Sequence, residues 1–339
     1  MSAVTESTSS WWTTSGWRDE AYGWIERILS EQGLTRTGEI EQPRVRFWST
    51  QLTVPTDAGR LWFKENCPGQ SFEAGLVEVL AEVVPDHVVA PIAVEPERGW
   101  LLGPDAGPTL RAAGGDVDEL WPRLAADWAD LQRRVADHVD RLTATGAPAN
   151  PPDRMAVLVA ERVDELTALP ADDPRCLETG AADRLRDALP TIQRWAEQVA
   201  AAGLPMSLDH NDLHSGNAFV PRPSEKQLRF FDFGDSVVGH PFSSLLIPLN
   251  VLAHELETDD DDPRLRRVVD AYLEVWTDVA DPATLRAAVD PARQLGRINR
   301  SESWRRVLQS ADATELAEFG DSQAFWLTSM LWHPTLQTD

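Results

Sequence analysis

The sequence predicts an α+β chain of two lobes: a small antiparallel-sheet N-terminal lobe carrying one key helix, then a larger, mostly helical C-terminal lobe. Three observations carry that reading. Between Thr37 and Leu102, short β-branched or alternating runs are broken by turn residues and by one segment of helical periodicity. Gly103-Pro104-Asp105-Ala106-Gly107-Pro108 then punctuates the chain as a hinge. Beyond it, apolar residues recur mostly at helical spacing. The expected divisions are 1–36 (a tail and a short helix), 37–103 (the N-terminal lobe) and 104–339 (the hinge and helical lobe).

Taken in order, residues 1–15 are Ser/Thr-rich with two tryptophans, a composition expected to be poorly ordered. Trp17 to Gln32 reads as a helix stopped by Gly33, with Trp24, Ile25, Ile28 and Leu29 on one side. Val45, Phe47, Leu52, Val54, Leu61 and Phe63 mark two or three antiparallel strands with a hairpin at Pro55–Gly59, the last strand ending at Lys64. Phe72, Leu76, Val79, Leu80 and Val83 predict a helix over Ser71–Val84, and two more strands follow at Val88–Val94 and Trp100–Leu102. Past the hinge, one long amphipathic helix spans Val117–Leu142. Others cover Arg154–Leu169, Ala181–Ala202, Phe242–Glu257 and Pro263–Val279, with several short stretches to Trp332. Two strand-like pieces, Met206–Leu208 and Leu228–Phe233, interrupt this lobe.

Composition narrows the function. With 55 acidic and 31 basic residues the formal charge is −24, which repels phosphate backbones and anionic lipid, so neither nucleic acid nor a membrane surface is an expected partner. No basic residue precedes Arg18, no apolar leader segment is present, and no apolar run approaches the ~20 residues that span a bilayer, so a cytoplasmic protein is expected. Its two cysteines are too few for a disulfide framework. Of the 31 basic residues only Lys64 and Lys226 are lysines, so each invites the question of what arginine could not do there.

The informative stretch lies between the two short strands. His210-Asn211-Asp212-Leu213-His214-Ser215-Gly216-Asn217 is followed 15 residues later by Asp232-Phe233-Gly234. This is H-x-D-x-x-x-x-N followed by D-F-G, the catalytic loop and metal-binding turn of protein-kinase-like phosphotransferases. Phosphoryl transfer to a hydroxyl needs a carboxylate beside the acceptor, the role given to Asp212. It also needs Mg²⁺ held by hard oxygen ligands, which Asn217 and Asp232 offer. His210 reads as a hydrogen-bonding scaffold for the loop. His214 and Asp235 read as ordinary loop and turn residues.

Lys64, ending a predicted strand, matches the lysine that grips the α/β-phosphates, and Glu73, Glu78 and Glu82 compete to pair with it. At about 100° per residue, Glu73 sits roughly 75° from the centre of the apolar stripe, Glu82 about 105° away on the other flank and Glu78 about 145°. Only Glu73 lies at the rim, where it could turn into a cleft. No G-x-G-x-x-G occurs between the first strands, and the candidate phosphate-covering turn is Trp48-Ser49-Thr50-Gln51, with the Ser49 and Thr50 hydroxyls as nucleotide contacts.

With these residues assembled, the chain resembles the aminoglycoside phosphotransferase and choline-kinase-like family over about residues 37–335. The likeness rests on the His210–Asn217 loop, the Leu228–Phe233 strand with Asp232, Phe72-Glu73-Ala74 and the Gly239-His240-Pro241 turn. It implies a protein-kinase-like fold, with ATP bound by the N-terminal lobe and the acceptor by the helical lobe. No A-P-E motif follows Asp232, which argues against a protein substrate. The family usually places an aspartate shortly after its G-x-P turn to brace the catalytic loop; here Ser243-Ser244 stands there. The leading expectation is an ATP- and Mg²⁺-dependent kinase for a hydroxylated small molecule such as an aminoglycoside, amino sugar or sugar. The alternatives are a kinase for a neutral sugar or amino alcohol, and a nucleotide-binding pseudokinase acting as an interaction module. The acidic run Glu255–Asp262 could receive a cationic acceptor, although Asp262-Pro263 is also an ordinary helix start. Oligomeric state is left open.

Overall fold

The computed structural model describes residues 7–336. Its first surprise is the N-terminus, where Ser7–Ser15 was expected to lack order. Helix α1 (Thr8–Trp11) and helix α2 (Ser15–Glu31) are both formed, each N-capped by a hydroxyl, Ser7 and Thr14. What the composition hid is burial: Trp12 is sequestered, and its carbonyl accepts from the Gln42 side chain at 3.1 Å. The two indole N–H groups of Trp17 and Trp100 converge on Glu65 Oε2 at 2.7 and 2.6 Å and fasten α2 across the sheet. Residues 1–6 lie outside the described residues.

The sheet of the N-terminal lobe comprises β1 (Glu41–Arg46), β2 (Ser49–Thr56), β3 (Gly59–Asn66), β4 (Ala93–Glu95) and β5 (Trp100–Pro104), in spatial order β1-β2-β3-β5-β4 and antiparallel throughout. Gly59, at φ +113°, closes the β2–β3 hairpin. The expected strand over Val88–Val94 shrinks to β4. Pro91 has no N–H to give a ladder, and Val88 instead makes one parallel bridge to Phe230. Side chains alternate across the sheet: Leu61, Phe63 and Glu65 meet α2, while Lys64 and Asn66 face the cleft.

Helix α3 (Glu73–Val83) follows the sheet strands in sequence but buries Leu76, Val77 and Leu80 in the core of the helical lobe. That anchoring fixes where Glu73 stands. The helical lobe then runs through α4 (Leu110–Ala113), α5 (Val117–Val135), α6 (Val139–Ala144), the two-residue β6 (Ala149–Asn150), α7 (Met155–Thr167) and α8 (Thr179–Ala201). The long helix expected to Leu142 is broken by a 3₁₀ turn over Ala136–His138, where neither glycine nor proline signals it.

Next come β7 (Ser207–Asp209), β8 (Ala218–Phe219), β9 (Arg229–Phe230) and β10 (Val237–Gly239), then α9 (Leu246–Glu255), α10 (Pro263–Glu274), α11 (Pro282–Leu308), α12 (Ala313–Phe319) and α13 (Ser322–Thr328). The largest departure is α11. One 27-residue helix, N-capped by Asp281 with Pro282 at its first position, replaces the short stretches expected there. It buries Arg293, Gln294, Asn299, Ser301, Glu302 and Ser303, so no apolar stripe announces it. Among the described residues no helix is long and apolar enough to cross a membrane.

Candidate active site

Strand register brings the two halves of the motif together. Ala218 pairs with Phe230 and Phe219 with Arg229, so Asn217, one residue before β8, falls opposite Phe231, whose N–H donates to the Asn217 carbonyl at 3.2 Å. Asp232 is the next residue. Asn217 Nδ2 donates back to the Asp212 carbonyl at 2.9 Å, which leaves Asn217 Oδ1 as the atom available to a cation. Asn211 and Asp232 both adopt left-handed backbone conformations, φ +60° and +66°, which short polar side chains tolerate best.

Across the cleft, Lys64 Nζ donates to Glu73 Oε2 and Asp232 Oδ1, both at 2.6 Å. Glu73 is buried and tied twice more, by Asn66 Nδ2 and by the Phe233 N–H at 2.9 Å. It therefore joins strand, helix and D-F-G turn in one cluster. Burial opposes the charge on both Lys64 and Asp232, and their mutual attraction outweighs it: the Lys64 pKa is raised and Asp232 is held at about 2. Glu78 is exposed and Glu82 pairs with Arg141 on the surface, so neither reaches Lys64. Lys226 lies exposed in a distant turn.

Asp212 opens onto the cleft. Arg300 Nη2 from α11 lies 3.0 Å from its Oδ1, and Arg300 Nη1 donates to Asp235 Oδ2 at 2.8 Å and to the Asn211 carbonyl at 3.1 Å. Asp235 also accepts from Gln70 Nε2 at 2.8 Å and from the Ser303 hydroxyl, so it is a brace between lobes rather than a plain turn residue. His210 is fully buried against Trp128 and Phe233, with Nε2 3.0 Å from the Phe231 carbonyl; burial lowers its pKa, so it stays neutral and donates there. His214 turns its Nδ1 to accept from the Gly216 N–H at 2.9 Å.

Thr50 is not brought into the cleft, and Ser49, paired with the cleft-facing Asn66, lies on that side of the sheet but buried. The connection is only Phe47-Trp48, so both hydroxyl residues already belong to β2. Thr50 faces away from Lys64: it donates to the Arg44 carbonyl at 3.1 Å and accepts from Gln42. Ser49 is buried and lines neither of the two cavities that meet at Asp232. The acidic run also lies away from both. Asp260 to Asp262 pair with Arg293, Arg266 and Arg264, and Asp262 is a helix N-cap, so this half of the run is already engaged by the protein's own cations.

The larger cavity, about 340 Å³, runs from Lys64 and Asp232 between β3, β5 and the hinge, walled by Val77, Leu101 and Phe231. The second, about 150 Å³, is lined by Asp212, Asp232, Arg44, Trp48, Arg300 and Trp304 among others. Sequence reading missed Arg44, Asp209, Asn299, Arg300 and Ser303. The one available signal was the polar run Asn299–Ser303 inside a helix otherwise rich in buried contacts.

This fold is shared with small-molecule kinases. The chain superposes on the ethanolamine kinase of Plasmodium vivax with a TM-score of 0.62, at 12% identity, over 94% of this chain and 90% of that one. A macrolide 2'-phosphotransferase of Brachybacterium faecium gives 0.56 at 13% identity, over 88% and 97%. A spectinomycin phosphotransferase solved with ADP and spectinomycin gives 0.50 at 10%, over 93% and 98%. No curated protein matches the sequence. The family model of the phosphotransferase enzyme family (APH) matches residues 58–287, and the chain belongs to that family as a small-molecule phosphotransferase.

Proposed function

We propose that the protein moves the γ-phosphate of ATP to a hydroxyl of a small molecule. The observation that carries this is the Lys64–Glu73–Asp232 cluster standing at the junction of the two cavities, with Asp212 lining the second. The larger cavity has the volume and apolar walls of a ligand site and takes the nucleoside. Lys64 meets the α/β-phosphates there. Asn217 Oδ1 and the Asp232 carboxylate are hard oxygen donors on adjoining segments, a set that suits Mg²⁺ completed by phosphate oxygens and water. The ion would supply charge neutralisation between the phosphates. Asp212 orients the acceptor hydroxyl and takes its proton late in the transfer, with Arg300 and Asn217 holding its position. The ADP held by the spectinomycin phosphotransferase supports an adenine nucleotide here.

The acceptor is a compact hydroxylated molecule entering the second cavity beside Asp212, with Trp48 and Trp304 forming part of its wall. Purified protein should release ADP from ATP and Mg²⁺ with some member of a panel of aminoglycosides, amino sugars, sugars and choline-like alcohols. Asp212→Asn should then keep nucleotide binding while kcat falls ~100-fold or more. Turnover within a few-fold of the parent would remove Asp212 from the chemistry.

A further inference from the structure

A family-type cleft needs something to hold the terminal phosphate, and the β1–β2 turn is poorly built to do so with its backbone. It has two residues and no glycine. Phe47 is buried, its carbonyl takes the Thr8 hydroxyl, and the Trp48 carbonyl takes the Cys67 N–H at 2.9 Å. Both rings are pinned to the helical lobe: Phe47 and Trp48 lie 5.7 and 5.5 Å from Phe319, and Trp48 lies 6.2 Å from Trp304. A turn so fastened cannot drape its N–H groups over a phosphate.

A side chain stands nearby instead. Arg44 is paired across the sheet with Gln51, Gln51 with Lys64, and Lys64 with Leu101. Directly paired residues project to one face, so the row places Arg44 on the cleft side, two strands from Lys64. The register slips between Glu41 and Arg44, an irregularity of the kind that re-aims a side chain. Arg44 lines the smaller cavity together with Asp212 and Asp232. Among the described residues its guanidinium makes no hydrogen bond and no ion pair, whereas the cavity's other cation, Arg300, is engaged by both Asp212 and Asp235.

We infer that Arg44 grips the terminal phosphate of a nucleoside triphosphate, replacing the backbone cradle that the short turn lacks. The inference rests on the phosphotransferase reading and adds to it a second cation: Lys64 meets the inner phosphates and Arg44 the outer one. A planar fork of donors suits a phosphoryl group that two oxygens can present at once.

The test needs no acceptor. Dissociation constants are measured, with Mg²⁺, for ADP and for a non-hydrolysable β,γ-imido ATP analogue. Arg44→Gln should weaken the triphosphate analogue about tenfold or more and ADP less than about twofold, and Arg44→Lys should recover part of the difference. Arg27→Gln, on the helix covering the opposite face, controls for loss of a positive charge and should leave both constants unchanged. Arg44 is an exposed residue on an edge strand, so the variants should melt with the parent. Equal weakening of both nucleotides, or no change in either, overturns the assignment alone. A parent protein that binds neither nucleotide overturns the phosphotransferase reading together with it.

Discussion

The Ser244 hydroxyl donates to Asp209 Oδ1 at 2.7 Å, beneath the loop that carries Asp212. The same oxygen takes the Asn211 N–H at 2.8 Å, and Oδ2 takes Asn299 Nδ2 at 3.2 Å. Ser244 in turn accepts from Gln132 Nε2 at 3.1 Å. The bracing carboxylate that the family resemblance places after the G-x-P turn is here supplied from the strand before the loop, with a serine facing it. Asp209 is fully buried, and burial against these donors pushes its pKa up to about 6.

Ser244→Ala should therefore cost more than one ordinary hydrogen bond, because it strips a donor from a carboxylate that water cannot reach. A loss of about 1–3 kcal/mol is expected in urea unfolding. The left-handed turn at Asn211 depends on Asp209, so kcat should fall as well, with nucleotide affinity preserved. Unchanged stability would show that the brace lies elsewhere.

Arg300 links Asp212 to Asp235, and through Asp235 to Gln70 on the opposite side of the cleft. Arg300→Gln should lower kcat by about tenfold or more while ADP binding holds. If Arg300 acts through Asp212, the double variant with Asp212→Asn should be little worse than Asp212→Asn alone. Fully multiplicative losses would assign Arg300 a separate task.

Lys64→Arg tests why lysine persists in a chain that otherwise uses arginine. The ammonium fits between Glu73 and Asp232 at 2.6 Å from each, and a broad guanidinium cannot repeat both contacts from the same strand position. ATP kcat/KM should drop about tenfold or more, and because Glu73 is buried the lost contact should also lower the melting temperature of the free protein. Lys226→Arg, in an exposed turn, should be silent. Equal, negligible effects would mean the nucleotide grip has been misplaced.

What was legible in the sequence follows from the kind of signal each residue leaves. Asp212, Asn217 and Asp232 sit at fixed spacing on one continuous hairpin, so the pattern survives in one dimension. Glu73 could be chosen over Glu78 and Glu82 because helical periodicity gives direction. Ser49 and Thr50 were read as turn residues, but a turn shorter by two residues hands them to a strand, and period-2 alternation points Thr50 away from the cleft. Asp209 left no mark and Arg300 only the faint one of a polar run, since each matters through a partner distant in sequence: Arg300 is 88 positions from Asp212, and Asn299 is 90 from Asp209. Order at Ser7–Ser15 was hidden for the same reason. Its composition is that of a tail, and contacts with residues distant in sequence, among them Gln42, Phe47 and Glu315, hold it.

His240 gives a pH signature separate from catalysis. It N-caps the 3₁₀ turn Pro241–Leu245, its Nδ1 accepting from the Phe242 N–H at 3.3 Å, and burial pulls its pKa down to about 3. The unfolded chain would protonate it near its usual value of about 6.5. A base whose folded pKa is depressed contributes stability that is complete above the unfolded value and is lost as pH falls below it. At pH 5 that loss is about 2 kcal/mol. Asp209 works in the opposite sense, its raised pKa giving stability at low pH that is lost as pH rises through about 6. The absolute pH profile therefore mixes several groups, but a comparison with His240→Asn isolates one. Asparagine can still cap the turn and carries no proton to exclude. Between pH 7.5 and pH 5 the parent should lose about 2 kcal/mol more in urea unfolding than the variant does. Parallel losses in the two proteins would show that His240 takes up its proton in the folded state, and its burial would then have to be relieved by a movement of the Gly239–Pro241 turn.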